Sequence, residues 1–281
     1  MKNRFLSLLI IPVLLLTSCK GEKIGEEKAK ELANKITENT SGLEGYGYEL
    51  KMTAKGSSGK GSEKKSESLT YELFQDKDEN IKFKMKGSDG EKKYDFVIYQ
   101  VKNTEFEEVA YIKDYDLDTK TYNEYVYGKN VTDNYNSLVS TYTMNALMPA
   151  IMMAGLMDPA KLLESEDFQN GEIVEDEITF KNEVSYYSTG ERNLTIEAKR
   201  KAISDNIPED DEVDTSLAYS ITYDNLLLKK AIITGKSNYG NTVEMKINVD
   251  IKKSVKVELP SNWKSVMEKT VPPTSSESSA E

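Results

Sequence analysis

Residues 242–252 read TVEMKINVDIK, and this stretch decides the fold class. Val243, Met245, Ile247, Val249 and Ile251 alternate with Glu244, Lys246, Asn248 and Asp250. Successive side chains of a strand point to opposite faces, so a period of two sets one apolar row against a core and one polar row in water. A strand buried on both faces would read as a continuous apolar run, so the alternation marks an antiparallel strand with one solvated face. Upstream, Leu217, Tyr219, Ile221 and Tyr223 repeat the pattern, and an apolar run near 226–234 lies between the two. Further back stand Leu194-Thr-Ile196-Glu-Ala198, Val184-Ser-Tyr186 and Ile178-Thr-Phe180.

The first half of the chain obeys the same rule after one helix. Ala29, Leu32, Ala33 and Ile36 fall at i, i+3, i+4 and i+7, and Gly42 is a plausible stop. The period then drops to two across Tyr46, Tyr48, Leu50, Met52 and Ala54, and again at Leu69-Tyr71-Leu73 and Ile81-Phe83-Met85. Further strands are expected over 93–101, 107–113 and 121–127, and Gly56 to Ser66 is a polar loop. The middle breaks this pattern. Thr132-Asp133 is placed to cap a helix with Tyr135, Leu138, Val139, Tyr142 and Ala146 on one face, leading into Met144–Met157, the most apolar stretch beyond the leader. Asp158-Pro159 reads as the N-cap and first position of a short helix through Glu164. Ile203 to Asp214 is an acidic surface loop, and residues 266–281 are an expected disordered tail.

The count is roughly eleven strands, too many to stay flat and open. The expected fold is α+β: a curled antiparallel sheet with an N-terminal helix and a central helical insertion covering the concave face. One domain over 27–265 is expected. The order of helix then strands occurs twice, which keeps a two-domain division open.

The chain opens MKNRFLSLLIIPVLLLTSC. Lys2 and Arg4 precede an apolar run from Phe5 to Leu16, too short to span a bilayer and laid out as a secretory signal peptide over residues 1–18. Thr17-Ser18-Cys19 resembles a lipobox, which implies transfer of diacylglycerol to the Cys19 thiol and cleavage before it. The expected product is held by lipid on the extracytoplasmic side of the cell membrane through a tether over 19–26. Loss of Lys2 and Arg4 with the leader takes the net charge from −11 to −13, which argues against nucleic acid as a partner. Cys19 is the one cysteine, so no intrachain disulfide forms.

Histidine is absent, which removes Ser-His-Asp and Cys-His catalysis and most zinc and copper sites. Asp114-Tyr-Asp116-Leu-Asp118 starts like a calcium loop, but Thr119 and Tyr125 stand where Gly and Glu are required. Gly56 to Ser62 is too short for a phosphate-binding loop, and the Ser-x-x-Lys matches at 57, 62 and 261 lack companion motifs. The run Glu209–Glu212 lacks the alternating spacing of metal ligands. Neither catalysis, nor a metal, nor a cofactor is expected. The 17 tyrosines mostly alternate within strands and read as packing. Met144, Met148, Met152, Met153 and Met157 admit two readings, flexible filler of a core helix or an adaptable lining for a greasy ligand.

The pattern as a whole is similar to the superfamily of the lipoprotein carriers LolA and LolB and the lipid-binding lipoproteins of the LppX kind. The likeness is carried by GEEKAKELANKITENTSGLEGYGYELKM near the start, by TSLAYSITYDNLLLKKAIITGKSN, and by NTVEMKINVDIKKSVKVELPSNW near the end. The resemblance implies that the curled sheet is an unclosed β-barrel, with a hydrophobic cavity under the helices that binds acyl chains. The candidate lining is Met144, Leu147, Met148, Ile151, Met152 and Leu156 of the insertion, with Tyr48, Leu50, Phe83, Tyr219 and Met245 of the strands. The partners so implied are the membrane, through Cys19, and a lipid or other hydrophobic ligand. The alternative is a surface interaction or signalling lipoprotein with a filled core and no small-molecule ligand.

Overall fold

The computed structural model describes residues 21–43, 45–58, 65–88, 92–175, 178–203 and 214–270, with backbone alone at 58, 65, 66 and 145–148. In chain order the elements are β1 (Glu22–Ile24), α1 (Glu26–Ser41), β2 (Gly47–Ser58), β3 (Lys65–Gln75), β4 (Ile81–Ser88), β5 (Lys93–Asn103), β6 (Glu107–Asp116) and β7 (Thr121–Gly128). Then come α2 (Tyr135–Leu156), α3 (Pro159–Leu162), a 3-10 turn (Glu166–Phe168), β8 (Gly171–Glu175), β9 (Ile178–Ser188), β10 (Leu194–Ala202), β11 (Asp214–Asp224), β12 (Leu227–Ser237), β13 (Thr242–Lys252) and α4 (Trp263–Met267). Thirteen strands form one antiparallel sheet ordered β1-β9-β10-β11-β12-β13-β2-β3-β4-β5-β6-β7, with β8 also on β9. It is an α+β fold whose sheet does not close.

The strands beyond the expected eleven are β1 and β8, and both serve an edge. β8 pairs with Ile178–Asn182 and β1 with Tyr186–Ser188, so the two cover the same side of β9 end to end. An uncovered edge strand invites pairing with another chain. Neither segment carries a period-two signal long enough to read. At the other edge, the backbone N–H of Val126 in β7 donates to Thr270 Oγ1 at 3.1 Å.

The chain divides into two compact units. One comprises Met1–Leu43, Gly56–Lys65 and Met153–Asn248, the other Glu44–Lys55, Ser66–Met152 and Val249–Glu281. In the first, Ala29, Leu32, Ala33 and Ile36 of α1 are fully buried over β9, β10 and β12. Facing them are Val184, Tyr186, Leu194, Ile196, Ile221 and Tyr223, the predicted rows of the strands. Asp158 caps α3 as expected, accepting from Lys161 N–H at 3.2 Å, and it also takes the Thr37 hydroxyl of α1 at 2.8 Å.

In the second unit β3 to β7 form a meander in which each strand pairs with the next. Its inner row holds Leu73, Phe83, Met85, Phe96, Ile98, Ala110 and Ile112, all buried. On the opposite face α4 covers Val109, Tyr111 and Val126 with Trp263, Val266 and Met267. Buried Asp76 ties this unit together at the β3–β4 turn. Its Oδ1 accepts from the N–H of Asp78 and of Asn80, both at 3.0 Å, and its Oδ2 from Asn80 Nδ2 at 3.0 Å and Val257 N–H at 3.1 Å. Burial raises its pKa, but these four donors outweigh that and hold it below the usual carboxylate range. Gly47 sits beside this turn because nothing larger fits: a Cβ there would lie 2.5 Å from the Gln75 carbonyl oxygen.

Candidate functional site

The central helix is the element with the most unusual surface. Its sequence predicts apolar residues on nearly every side, and α2 runs unbroken from Tyr135 to Leu156 with Pro149 inside it. At 3.6 residues per turn, Tyr135, Val139, Tyr142, Pro149, Met153 and Leu156 fall on one side. All but the half-buried Tyr142 are buried. Met144 and Ile151 fall nearly opposite, about 180° away. They are 68 % and 56 % exposed, among the most exposed large apolar side chains described.

In the second unit the docked side of α2 is fastened by tyrosines. The Tyr135 hydroxyl donates to Glu108 Oε1 at 2.9 Å and that of Tyr142 to Asp114 Oδ2 at 3.1 Å. The Tyr142 ring meets Phe96 edge-on at 5.2 Å, Phe96 meets Phe83 at 5.8 Å, and Phe83 stacks on Tyr71 at 6.2 Å. Burial, more than the neighbouring carboxylates, drives both phenols well above the usual tyrosine range, so they remain donors at every working pH. Asp114 is pushed up by desolvation, against the opposing pull of the Tyr142 hydrogen bond. In the first unit the end of α2 is held by Tyr223, fully buried, whose hydroxyl donates to the Leu156 carbonyl at 2.7 Å.

The predicted lining residues therefore differ in setting. Leu50 and Phe83 are buried in the second unit, where Tyr48 is half-buried and donates to Gln75 Oε1 at 2.6 Å. Met152 is half-buried, and Met144 and Ile151 face water. Leu156 is buried in the first unit, with Tyr219 and Met245 half-buried there. The Tyr219 ring packs on Phe168 at 5.1 Å, and its phenol is pushed up to about 12 by burial. The side chains of Leu147 and Met148 lie outside those described, as does Cys19.

One group has no counterpart in the sequence reading. Arg200, on the core face of β10, lies 4.1 Å over the Phe180 ring, donates to Asp167 Oδ1 at 3.0 Å and pairs with Glu175. Its partners come from a turn and a short strand, 33 and 25 residues away, so no local spacing announces it. Asn182 beside it in register is buried, with its Oδ1 unpartnered.

Two grooves lie on the sheet. One, of about 460 Å³ in the first unit, is lined by Lys181, Glu183, Lys199, Arg200, Lys201, Ile203, Ser216, Leu217 and Ala218. The other, of about 490 Å³ in the second unit, is lined by Lys86, Gly87, Lys93, Tyr94, Asp95, Tyr115, Leu117 and Lys120. Among the described residues no group of three or more His, Cys, Asp or Glu side chains is arranged to hold a metal ion, and no helix is long and apolar enough to cross a membrane. The calcium-like stretch forms a turn in which Asp116 Oδ1 accepts from Asp118 N–H at 2.8 Å and Thr119 N–H at 3.1 Å.

No family model matches this chain, and neither does any curated protein. Among solved structures it is similar to a putative outer membrane lipoprotein-sorting protein domain from Vibrio parahaemolyticus. That match has 9 % identity and a TM-score of 0.22, and covers 85 % of this chain and 96 % of that one. A LolA superfamily protein from Nitrosomonas europaea matches at 10 % identity and TM-score 0.24, over 83 % and 94 %. A DUF1329 family protein from Desulfovibrio piger matches at 9 % and 0.22, over 84 % and 95 %. At such identities and scores none of them lends a residue its role here.

Proposed function

We propose that this chain is a membrane-tethered, extracytoplasmic, non-enzymatic protein that binds an apolar or amphipathic, lipid-like ligand through the middle of α2. The observation that carries this reading is the placement of Met144 and Ile151. A helix apolar on all sides belongs in a fully dry place, yet these two side chains stand in water opposite a side already docked. Covering each of them gains about 1.5–3 kcal/mol. An acyl chain burying about ten methylenes gains about 8 kcal/mol before ordering costs. The methionines of α2 suit such a role, because their side chains reshape cheaply around different partners. The absence of histidine supports binding rather than chemistry, and the Cys19 lipobox supports the tether.

One observation favours the filled-core alternative. Phe83 is fully buried in the ring series from Tyr71 to Tyr142, so that part of the expected lining is already occupied by side chains. Titration with a fluorescent fatty-acid probe separates the two readings. Because Met144 and Ile151 are exposed, Met144→Asp with Ile151→Asp leaves the fold intact while placing two charges against the ligand's apolar body. The expected result is unchanged circular dichroism with at least a tenfold loss of probe affinity, about 1.4 kcal/mol or more. A wild-type chain that binds neither fatty-acid nor phospholipid probes establishes the filled-core reading instead.

A further inference from the structure

The face of β9–β12 turned away from α1 carries a row of like charges that the fold itself does not need. Lys181 of β9 stands directly opposite Lys201 of β10, Lys201 opposite Ser216 of β11, and Ser216 opposite Lys236 of β12. Strands lie about 4.8 Å apart, so three ammonium groups share one line roughly 14 Å long. Lys199 follows one pleat further, opposite Glu183. Like charges directly opposed across a strand pair destabilise it. Among the described residues Lys181 pairs with Glu183 at 2.8 Å and has Glu172 of β8 opposite it on its other side, while no ion pair joins Lys199, Lys201 or Lys236. This cluster sits in a chain of net charge −11, beside the 460 Å³ groove in which Ile203 is 45 % exposed.

We infer that this face docks onto the anionic headgroups of a phospholipid surface. Charge complementarity names the partner's sign, and a flat row on a sheet face, with an apolar side chain beside it, suits a surface better than an enclosed ion. The chain's own start supplies the geometry: Glu22 of β1 pairs with Ser188 at the far end of β9, three residues after Cys19. From Ser188 back to Lys181 is about 23 Å of strand. An anchor leaving near Ser188 and a lysine row at the start of β9 hold the sheet against the bilayer at two points. The inference rests on the tethered reading above but not on the apolar ligand.

The test uses residues 19–281 carrying Cys19→Ala, which lacks the acyl anchor and loses no described residue. Its co-sedimentation is measured with phosphatidylcholine vesicles, with and without about 30 mol % phosphatidylglycerol. We expect binding only to the anionic vesicles and release at about 0.5 M salt, where screening acts within a few ångströms. Each lysine near such a surface contributes roughly fivefold, so Lys201→Glu with Lys236→Glu lowers partitioning more than tenfold. Reversal of Lys93 and Lys120, in the groove of the second unit, leaves it unchanged. The inference is overturned by equal binding to neutral vesicles, by full binding of the Lys201/Lys236 variant, or by equal loss in the Lys93/Lys120 variant. It is also overturned if soluble polyphosphate binds the row while vesicles do not. Loss of vesicle binding in the Met144/Ile151 variant would transfer the contact to α2. Failure of the fatty-acid probe alone touches only the ligand reading.

Discussion

Tyr223→Phe tests whether the end of α2 is held by one hydroxyl. The ring of Tyr223 is fully buried, and its oxygen lies 2.7 Å from the Leu156 carbonyl, one of the last four of a helix, which have no partner within it. Phenylalanine keeps the ring and its packing, so the variant isolates the hydrogen bond. Its net contribution is about 1 kcal/mol, and a carbonyl left dry and unpaired adds about another. For a chain of this size, a loss of about 2 kcal/mol lowers the melting temperature by roughly 4–8 °C. The local effect is the sharper measurement. Met157 N–H donates to Met153 at 2.9 Å in the turn that Tyr223 fastens. Peptides spanning 150–160 should exchange their amide hydrogens about 30-fold faster. An unchanged melting temperature together with unchanged exchange in that peptide refutes the reasoning and leaves packing alone as the hold on α2.

Two further outcomes are expected, one from the geometry of Asp76 and one from the lipobox at Cys19. Asp76→Asn keeps one acceptor but turns an amide toward donors at the β3–β4 turn, at a cost of about 2–4 kcal/mol. Because the folded pKa of Asp76 is depressed, its stabilisation is complete above the unfolded value of about 3.9 and lost as pH falls through the folded value. Urea melts from pH 6 down to about pH 2 should therefore be steeper in pH for the wild type than for Asp76→Asn, and parallel profiles would remove Asp76 from this role. Cys19→Ala should move the full chain, expressed in a bacterial host, from the detergent to the aqueous phase on phase partitioning, and continued partitioning into detergent defeats the lipid tether.

What could be read in advance was periodic. The strands over 81–128 and 178–252 and the buried face of α1 follow from side-chain alternation at 2 and 3.6 residues, a purely local signal. Met144 and Ile151 were legible as apolar but not as exposed, because composition does not say which side of an all-apolar helix docks. That choice is made by Tyr135 and Tyr142, whose partners Glu108 and Asp114 lie 27 and 28 residues back. Arg200 and Tyr223 were invisible for the same reason, since each acts through groups distant in the chain, and Asp76 shares it in its bond from Val257. The lysine row required register, since Lys181, Lys201 and Lys236 align only once β9 to β12 are paired.

The two proposed surfaces call for partners of opposite character, and salt separates them. Contact at Met144 and Ile151 is the burial of apolar area, which salt leaves intact and excluded anions such as sulfate strengthen. Contact at the lysine row is Coulombic between exposed groups, and it fades once the screening length falls below the roughly 5 Å spacing of the strands. A molecule with both an acyl body and an anionic head satisfies both chemistries, but the row stands on β9–β12 of the first unit and the exposed stripe on residues 144–151 of the second. The prediction is of two binding events with separate salt responses. Vesicle docking should vanish at about 0.5 M salt while fatty-acid affinity holds. If both fall together on the same salt curve, one anionic ligand is engaging the lysines, and the division of labour between the two surfaces is wrong.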